Sequence, residues 1–208
     1  MITLFQKVKP LCISCEVSLG EWRPGERCAR CYHLKKPGMT DCPDCQALAI
    51  YPPLRKITCM LDYNEEVKML FHRYKFVGDA ALAEVLAMFL KYNFREYDVI
   101  IPVPVSAGRL RERGFNQTAM VLDVLKIKYQ DILVTEKTER QSELKKTERL
   151  KRINPFRFKE GFDADSIQGS KVLIVDDIYT TGITVHQAAV SLYTGNPSVI
   201  DVLTFSKA

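Results

Sequence analysis

The sequence contains no apolar run approaching the ~20 residues of a membrane span. Met1 to Pro10 lacks the apolar core of a secretory signal, so the expectation is a cytoplasmic protein. There is no internal repeat, and no helix-turn-helix pattern that would suit a regulator reading duplex DNA. An excess of one charge sign is also missing, since the net charge over 208 residues is only +5 and matters only where it is clustered. Cysteine almost vanishes after residue 45. The one exception, Cys59, sits in the apolar run Ile57 to Leu61 and reads as a buried strand residue without chemistry. What is present is ordinary: 47% hydrophobic residues suffice for a real core, and 26% charged residues suit one or two globular domains.

The remaining cysteines are concentrated. Cys12, Cys15, Cys28, Cys31, Cys42 and Cys45 form three Cys-x-x-Cys pairs in the first 45 residues. Disulfides are not expected in the cytosol, whereas two such pairs bring four thiolates to a tetrahedral zinc ion. This segment is rich in Gly, Pro and charge and could not bury a core of its own. Structural zinc, with about 10 to 16 kcal/mol of apparent binding energy in small fingers, can replace one. Which four sulfurs bind stays open: the first and second pairs enclose 12 residues, the second and third 10, and both are normal spacings. His33 is near enough in sequence to substitute, although a lone His is more often a surface residue. Tyr51, Pro52 and Pro53 punctuate the end of the segment, giving an expected zinc-binding domain over residues 1–55 and a second domain over 56–208.

From there strands and helices alternate, the pattern of a parallel α/β sheet. Strands are expected over Ile57–Tyr63, Asp98–Pro102, Ile132–Thr135, Lys171–Val175 and Val199–Phe205, and helices over Glu65–Phe76, Asp79–Tyr92, Asn116–Tyr129 and from about Thr184 to Thr194. The most informative run is VLIVDDIYTTGIT, Val172 to Thr184. Its apolar start reads as a strand buried on both faces, which places Asp176 and Asp177 at the carboxyl end, where open α/β sheets bind ligands. A tight turn over Ile178–Gly182 then opens a helix, whose free N–H groups make a nest for a phosphate. Thr180, Thr181 and Thr184 add hydroxyl donors, and Gly182 lets the backbone approach. Carboxylates would repel that anion, so they must face ribose hydroxyls or a magnesium ion. Both acids reach one ligand only if the backbone turns between them.

Two cationic segments follow from the charge pattern. In IPVPVSAGRLRERGFNQ, arginines 109, 111 and 113 stand beside the sheet's carboxyl edge, where guanidinium forks suit a diphosphate. Lys75, in YKFVGD (Tyr74–Asp79), could reach the same region, while Phe71, Tyr74 and Phe76 read as core and rim rather than base-stacking residues. The interval from Glu136 to about Pro155 lacks apolar periodicity; from Lys137 on it sets Lys137, Arg140, Lys145, Lys146, Arg149, Lys151 and Arg152 against Glu139, Glu143 and Glu148, an excess of four positive charges. Such a loop could close over a pyrophosphate or grip a nucleic-acid backbone through Lys145, Lys146, Arg149, Lys151 and Arg152.

The VLIVDDIYTTGIT run resembles the ribose-5-phosphate loop of type I phosphoribosyltransferases, the enzymes that use phosphoribosyl pyrophosphate (PRPP). That resemblance implies ribose hydroxyls on Asp176 and Asp177 and the 5-phosphate on Tyr179 to Thr184, with Arg109 and Arg113 toward the diphosphate and Mg²⁺ accompanying PRPP. The cysteine-rich start, YKFVGD, RGFNQ (Arg113–Gln117) and the spacing Thr138, Gln141, Leu144, Arg149, Asn154-Pro155-Phe156 together are similar to the ComF/GntX family over about residues 12 to 206. Relatives there often carry a fourth Cys-x-x-Cys pair, absent here. The resemblance implies a PRPP-binding domain joined to a zinc finger, taking part in uptake or processing of single-stranded DNA during natural transformation. Its implied partners are the uptake helicase and the membrane DNA channel, which could recruit it to the inner face of the membrane. Either it is an accessory protein that binds PRPP, or it is an active transferase to a nitrogen acceptor. The short stretch after the last strand, ending at Ala208, leaves little to build a base-binding hood and favours the accessory reading.

Overall fold

A computed structural model of the chain describes residues 11–136 and 154–208. Within the cysteine-rich segment lie α1 (Ile13–Gly20) and the short α2 (Pro43–Ala47). There follow β1 (Ile57–Asp62), α3 (Glu65–His72), α4 (Leu82–Phe89), β2 (Val99–Pro102), α5 (Ala107–Arg113), α6 (Gln117–Val124), β3 (Leu133–Thr135), β4 (Phe156–Phe158), β5 (Lys171–Tyr179), α7 (Ile183–Tyr193) and β6 (Val199–Lys207). Strands β1, β6, β5 and β2 form one sheet in that order, all parallel. The protein has a parallel α/β architecture, with the cysteine-rich segment packed onto one face of the sheet.

The sheet is covered on both sides. Val172, Leu173, Ile174 and Val175 of β5 are all fully buried. Val172 and Ile174 pack with Val185, Ala188 and Leu192 of α7 and with Cys28, Cys31 and Cys42. Leu173 and Val175 face the other way, onto Val67 of α3, Leu86 of α4 and Val121 and Leu122 of α6. Each such side chain contributes about 1.5 to 3 kcal/mol by leaving water.

This layering positions the site. After β2 the chain runs to α6 on one face of the sheet; after β5 it runs to α7 on the other. Neighbouring strands whose connections part in opposite directions leave a crevice at their carboxyl ends, the place where such sheets take ligands. The acids of β5 stand in it.

Several elements differ from the sequence expectation. The helix that begins at Glu65 is α-helical only to His72, then continues as a π-helical turn, Arg73–Val77, closed by Gly78 at φ +75°. The helix capped by Asn116 stops at Val124, and Lys126 takes φ +57°. Strand β4, not marked in the sequence, pairs antiparallel with β3. Strand β5 runs on through the acids to Tyr179 because Asp176, Ile178 and Tyr179 keep pairing with β6 after β2 has ended at Pro102.

Two carboxylates are fully buried in the sheet, and both are held by arginines from outside it. Asp62 accepts from the Arg23 amide at 2.8 Å, from Arg23 Nε at 2.7 Å and from Arg27 at 2.9 Å, which ties the cysteine-rich segment to β1. Asp201 accepts from Arg55 Nε at 3.0 Å and from Tyr97 Oη at 2.7 Å. Burial alone would raise both carboxyls, but these hydrogen bonds outweigh it and hold them below the usual carboxylate range. A group whose folded form releases its proton more readily than the unfolded chain adds stability above the ordinary carboxylate range and loses it as pH falls. The melting midpoint should therefore drop as pH is lowered below ~4, the unfolded aspartate value. A midpoint unchanged from neutral pH down to ~3 would contradict this assignment.

Candidate functional site: an acid pair facing arginines beside a cysteine cluster

The crevice holds a cleft of about 440 Å³, lined among others by Asp176, Asp177, Thr184, Ser106, Arg109, Arg113, Gln117 and Lys75. Both acids reach it because the side-chain alternation of β5 inverts at them. Val175 packs in the α3 cluster, and strict alternation would send Ile178 to the α7 face and Tyr179 back to the α3 face. Instead Ile178 lies against the α3 cluster and Tyr179 in the α7 cluster. The acids' own oxygens support the bend. Asp177 N–H donates to Asp176 Oδ1 at 2.9 Å, and Ile178 N–H to Asp177 Oδ1 at 2.6 Å. Lys75, delivered by the π-helical turn, pairs with Asp177 Oδ2 at 2.7 Å and lies over the Phe71 ring.

The facing wall comes from α5. Ser106 caps that helix, its Oγ accepting from the Arg109 amide at 3.4 Å. One helical turn separates Arg109 from Arg113, so both point into the cleft while Arg111 is exposed. Arg113 packs 5.3 Å over the Phe76 ring, and the amide oxygen of buried Gln117, turned to accept, stands 2.6 Å from its Nη1. Burial, then repulsion from Arg109, lowers the Arg113 pKa. Two crowded guanidinium groups opposite two carboxylates suit a ligand anionic at one end and hydroxyl-rich at the other.

The loop after β5 starts at Thr180 rather than at Ile178, which belongs to β5. Of Thr180, Thr181, Gly182 and Thr184 only Thr184 lines the cleft. The loop's glycine turn and helix start otherwise follow the sequence expectation, with one exception. Gly182 sits at φ +78°, and a Cβ there would stand 2.2 Å from Tyr179 Oη, so only glycine fits. Helix α7 starts one residue later; its first turn leaves amides without intrahelical partners ahead of the bond from His186 N–H to the Gly182 carbonyl, 3.1 Å. Thr180 is exposed, Thr181 is half-exposed, and Thr184 lines the cleft. The exception is the Tyr179 side chain. It is 1% exposed and lies beneath the loop rather than along the cleft, which leaves only its backbone for an anion.

Four of the six paired cysteines come together. The sulfurs of Cys28, Cys31, Cys42 and Cys45 lie within 4.8 Å of one another, with Cys31 to Cys42 at 3.4 Å and Cys28 to Cys45 at 3.7 Å. Tetrahedral zinc–thiolate bonds of ~2.3 Å would place sulfurs ~3.8 Å apart, so this donor set fits a structural zinc ion. Cys28 and Cys31 sit on a turn closed by the Tyr32 amide on the Cys28 carbonyl, and α2 supplies Cys42 as its N-cap and Cys45 in its body. Cys12 and Cys15 are exposed at the start of α1 and do not join the group. His33 is engaged elsewhere, with Nδ1 2.9 Å from Asp44 Oδ2. Cys59 is buried and accepts from Thr204 Oγ1 at 3.2 Å; burial pushes its thiol up to about 11, keeping it protonated and inert.

Comparison with known proteins decides the lineage. Residues 81–207 match the family described as phosphoribosyl transferase domain. The chain belongs to that family. It is 33% identical over 202 residues to the competence protein ComFC of Streptococcus pneumoniae (strain ATCC BAA-255 / R6), covering 94% of this chain and 86% of that protein. To ComFC of Bacillus subtilis (strain 168) it is 35% identical over 141 residues, 65% of this chain and 57% of that one. The DNA utilization protein YhgH of Escherichia coli O157:H7 matches at 26% over 223 residues, with 94% and 96% covered. Identity of 33% over 94% of the chain makes it a ComF-type member of the phosphoribosyl transferase domain family.

In this ComF-type domain the cleft has a second, aromatic half. Tyr63, Phe71, His72 and Phe76 line it beside the arginines. Phe71 is 1% exposed, but Phe76 is 65% exposed, with the His72 ring 5.4 Å from its own. Lys145, Lys146, Arg149, Lys151 and Arg152 lie outside the described residues. Sequence reasoning did not single out Gln117 or Ser106 as site groups, and it brought Lys75 toward the arginines' region without pairing it with Asp177. No helix among the described residues is long and apolar enough to cross a membrane.

Proposed function

We propose that the cleft binds PRPP with Mg²⁺ and that the protein serves the uptake or processing of single-stranded DNA during natural transformation. The observation that carries the first part is the meeting of Asp176 and Asp177 with Arg109 and Arg113 across one crevice. On this reading the acids accept from the ribose hydroxyls, the amides and hydroxyls of residues 180–184 hold the 5-phosphate, and the arginines face the diphosphate. Mg²⁺, which favours oxygen donors and retained waters, would offset diphosphate charge beside the acids. The second part draws on the relatives named for competence and for DNA utilization. The helicase and membrane channel of the uptake apparatus are the partners we assign to it, and the inner face of the membrane its place of work.

PRPP in this scheme is a bound ligand rather than a consumed one. The runner-up is an active phosphoribosyltransferase, favoured by the aromatic lip next to the arginines, which could stack an acceptor base. Incubation with PRPP, Mg²⁺ and each nucleobase or DNA separates the two: released pyrophosphate identifies the transferase, whereas binding without turnover identifies the accessory role.

Asp177→Asn tests the cleft. A charge-assisted bond to a sugar hydroxyl contributes about 1.5 to 3 kcal/mol, so calorimetry should show PRPP binding weakened about tenfold or more in a folded variant. Undiminished binding would contradict the hydroxyl assignment. For DNA, we take the exposed Phe76 ring as a stacking surface, against the sequence expectation, and Phe76→Ala should weaken single-strand binding by the ~1–3 kcal/mol of one stacked base while leaving its salt dependence unchanged. Replacing Lys145, Lys146 and Arg149 should instead lower both the affinity and the salt slope. Equal effects of the two changes on the slope would remove Phe76 from a stacking role.

A further inference from the structure

The cysteine cluster and the anion-binding loop are mechanically joined. Gly182, on which the left-handed turn of the loop depends, is closed in from the side of the cysteine-rich segment: a Cβ there would stand 3.0 Å from Leu48 Cδ1. Leu48 is the C-cap of α2, its N–H donating to the Asp44 carbonyl at 3.1 Å, and α2 carries Cys45 and is capped by Cys42. Tyr51, whose amide donates to the Leu48 carbonyl at 3.0 Å, sets its ring 5.6 Å from that of His186. His186 in turn holds the Gly182 carbonyl, with Nδ1 2.9 Å away. On the other side Lys207, 3% exposed, donates from Nζ to the Thr180 carbonyl at 3.1 Å. Neither Leu48 nor Tyr51 lines the cleft.

A five-residue helix has no stability of its own in water, because nucleation is unfavourable and few bonds follow it. The pair of sulfurs it contributes to the cluster, with the Asp44–His33 contact and buried Leu48, is what holds α2 in place. We propose that the four-cysteine site is a positioning device for the anion-binding loop: with zinc bound, α2 fixes Leu48 and Tyr51 against Gly182 and His186, and metal occupancy and sugar-phosphate affinity are linked. The inference rests on the sugar-phosphate reading of the loop. Without the metal the loop loses its backing, and its ordering cost falls on the binding step. Linkage of this kind is reciprocal, so the sugar phosphate must also tighten zinc.

The test uses the full zinc-loaded chain with ribose 5-phosphate as the probe. Affinity for the sugar phosphate is read by calorimetry, and zinc release as the fraction lost at equilibrium to a competing chromogenic chelator. Saturating ribose 5-phosphate should tighten zinc about fivefold or more, the low end of ordinary coupling between sites. Leu48→Ala should keep one zinc per chain and bind ribose 5-phosphate about fivefold or more weakly, with zinc release no longer sensitive to it. Tyr51→Leu should act in the same direction and replaces Leu48→Ala if that variant does not fold. Wild-type protein that binds ribose 5-phosphate but holds zinc with an affinity indifferent to it overturns the linkage and leaves the cleft reading intact. So does a variant that retains both zinc and full affinity. Zinc-loaded wild type that fails to bind ribose 5-phosphate overturns the cleft reading, and this inference with it.

Discussion

Serine at both Cys31 and Cys42 is expected to abolish zinc binding and to unfold the cysteine-rich segment, whereas serine at Cys12 and Cys15 should leave the metal content unchanged. All four positions belong to Cys-x-x-Cys motifs, but only Cys31 and Cys42 belong to the group of four sulfurs within 4.8 Å. Among the described residues this segment has few apolar side chains to hold it: α1 buries only Leu19, and α2 buries none but Asp44. Metal coordination of about 10 to 16 kcal/mol is then the largest single contribution to its order, and losing it should open the segment to protease. Metal analysis and limited proteolysis of the two double variants read this directly. Full zinc in the Cys31/Cys42 variant, or loss of zinc in the Cys12/Cys15 variant, would overturn the ligand assignment.

Gly182→Ala is expected to have the largest effect on the cleft. A non-glycine residue at φ +78° costs about 1 to 2 kcal/mol, and forcing a methyl group into packed surroundings adds about 1 to 3. The added carbon would meet Tyr179 Oη at 2.2 Å and Cζ at 2.5 Å, so the loop must move. PRPP binding should fall by roughly a hundredfold, with a lowered melting midpoint. Because the closest clash is with a hydroxyl, Tyr179→Phe in the same chain should restore part of the loss. An alanine variant that binds and melts like wild type would show that the loop does not form the anion site.

How much of this was legible beforehand depended on how local the cause was. The strand–acid–loop–helix run could be read because Val172 to Val175 declare a strand buried on both faces, and Gly182 a tight turn where the backbone can approach a ligand. Asn116 was legible as a cap for the same reason: its side chain bonds the amides two and three residues on. The choice among cysteine pairs was not legible, since loops of 12 and of 10 residues are both normal spacings and only the packing of α2 against the sheet separates them. Nor could the sequence show that alternation inverts at Asp176 and Asp177, which sends Tyr179 under the loop and both acids into the cleft. The π-helical turn that aims Lys75 at Asp177 breaks the 3.6-residue period that identified the helix. Asp62 finds Arg23 and Arg27 from 39 and 35 residues away, a pairing that no local pattern records.

The most direct measurement is a crystal structure of the zinc-loaded chain soaked with PRPP and Mg²⁺. The expected density has a 5-phosphate on the amides of residues 180–184, ribose hydroxyls on Asp176 and Asp177, and a diphosphate toward Arg109 and Arg113. Density at another place on the protein, or an empty crevice at saturating ligand, would contradict the account.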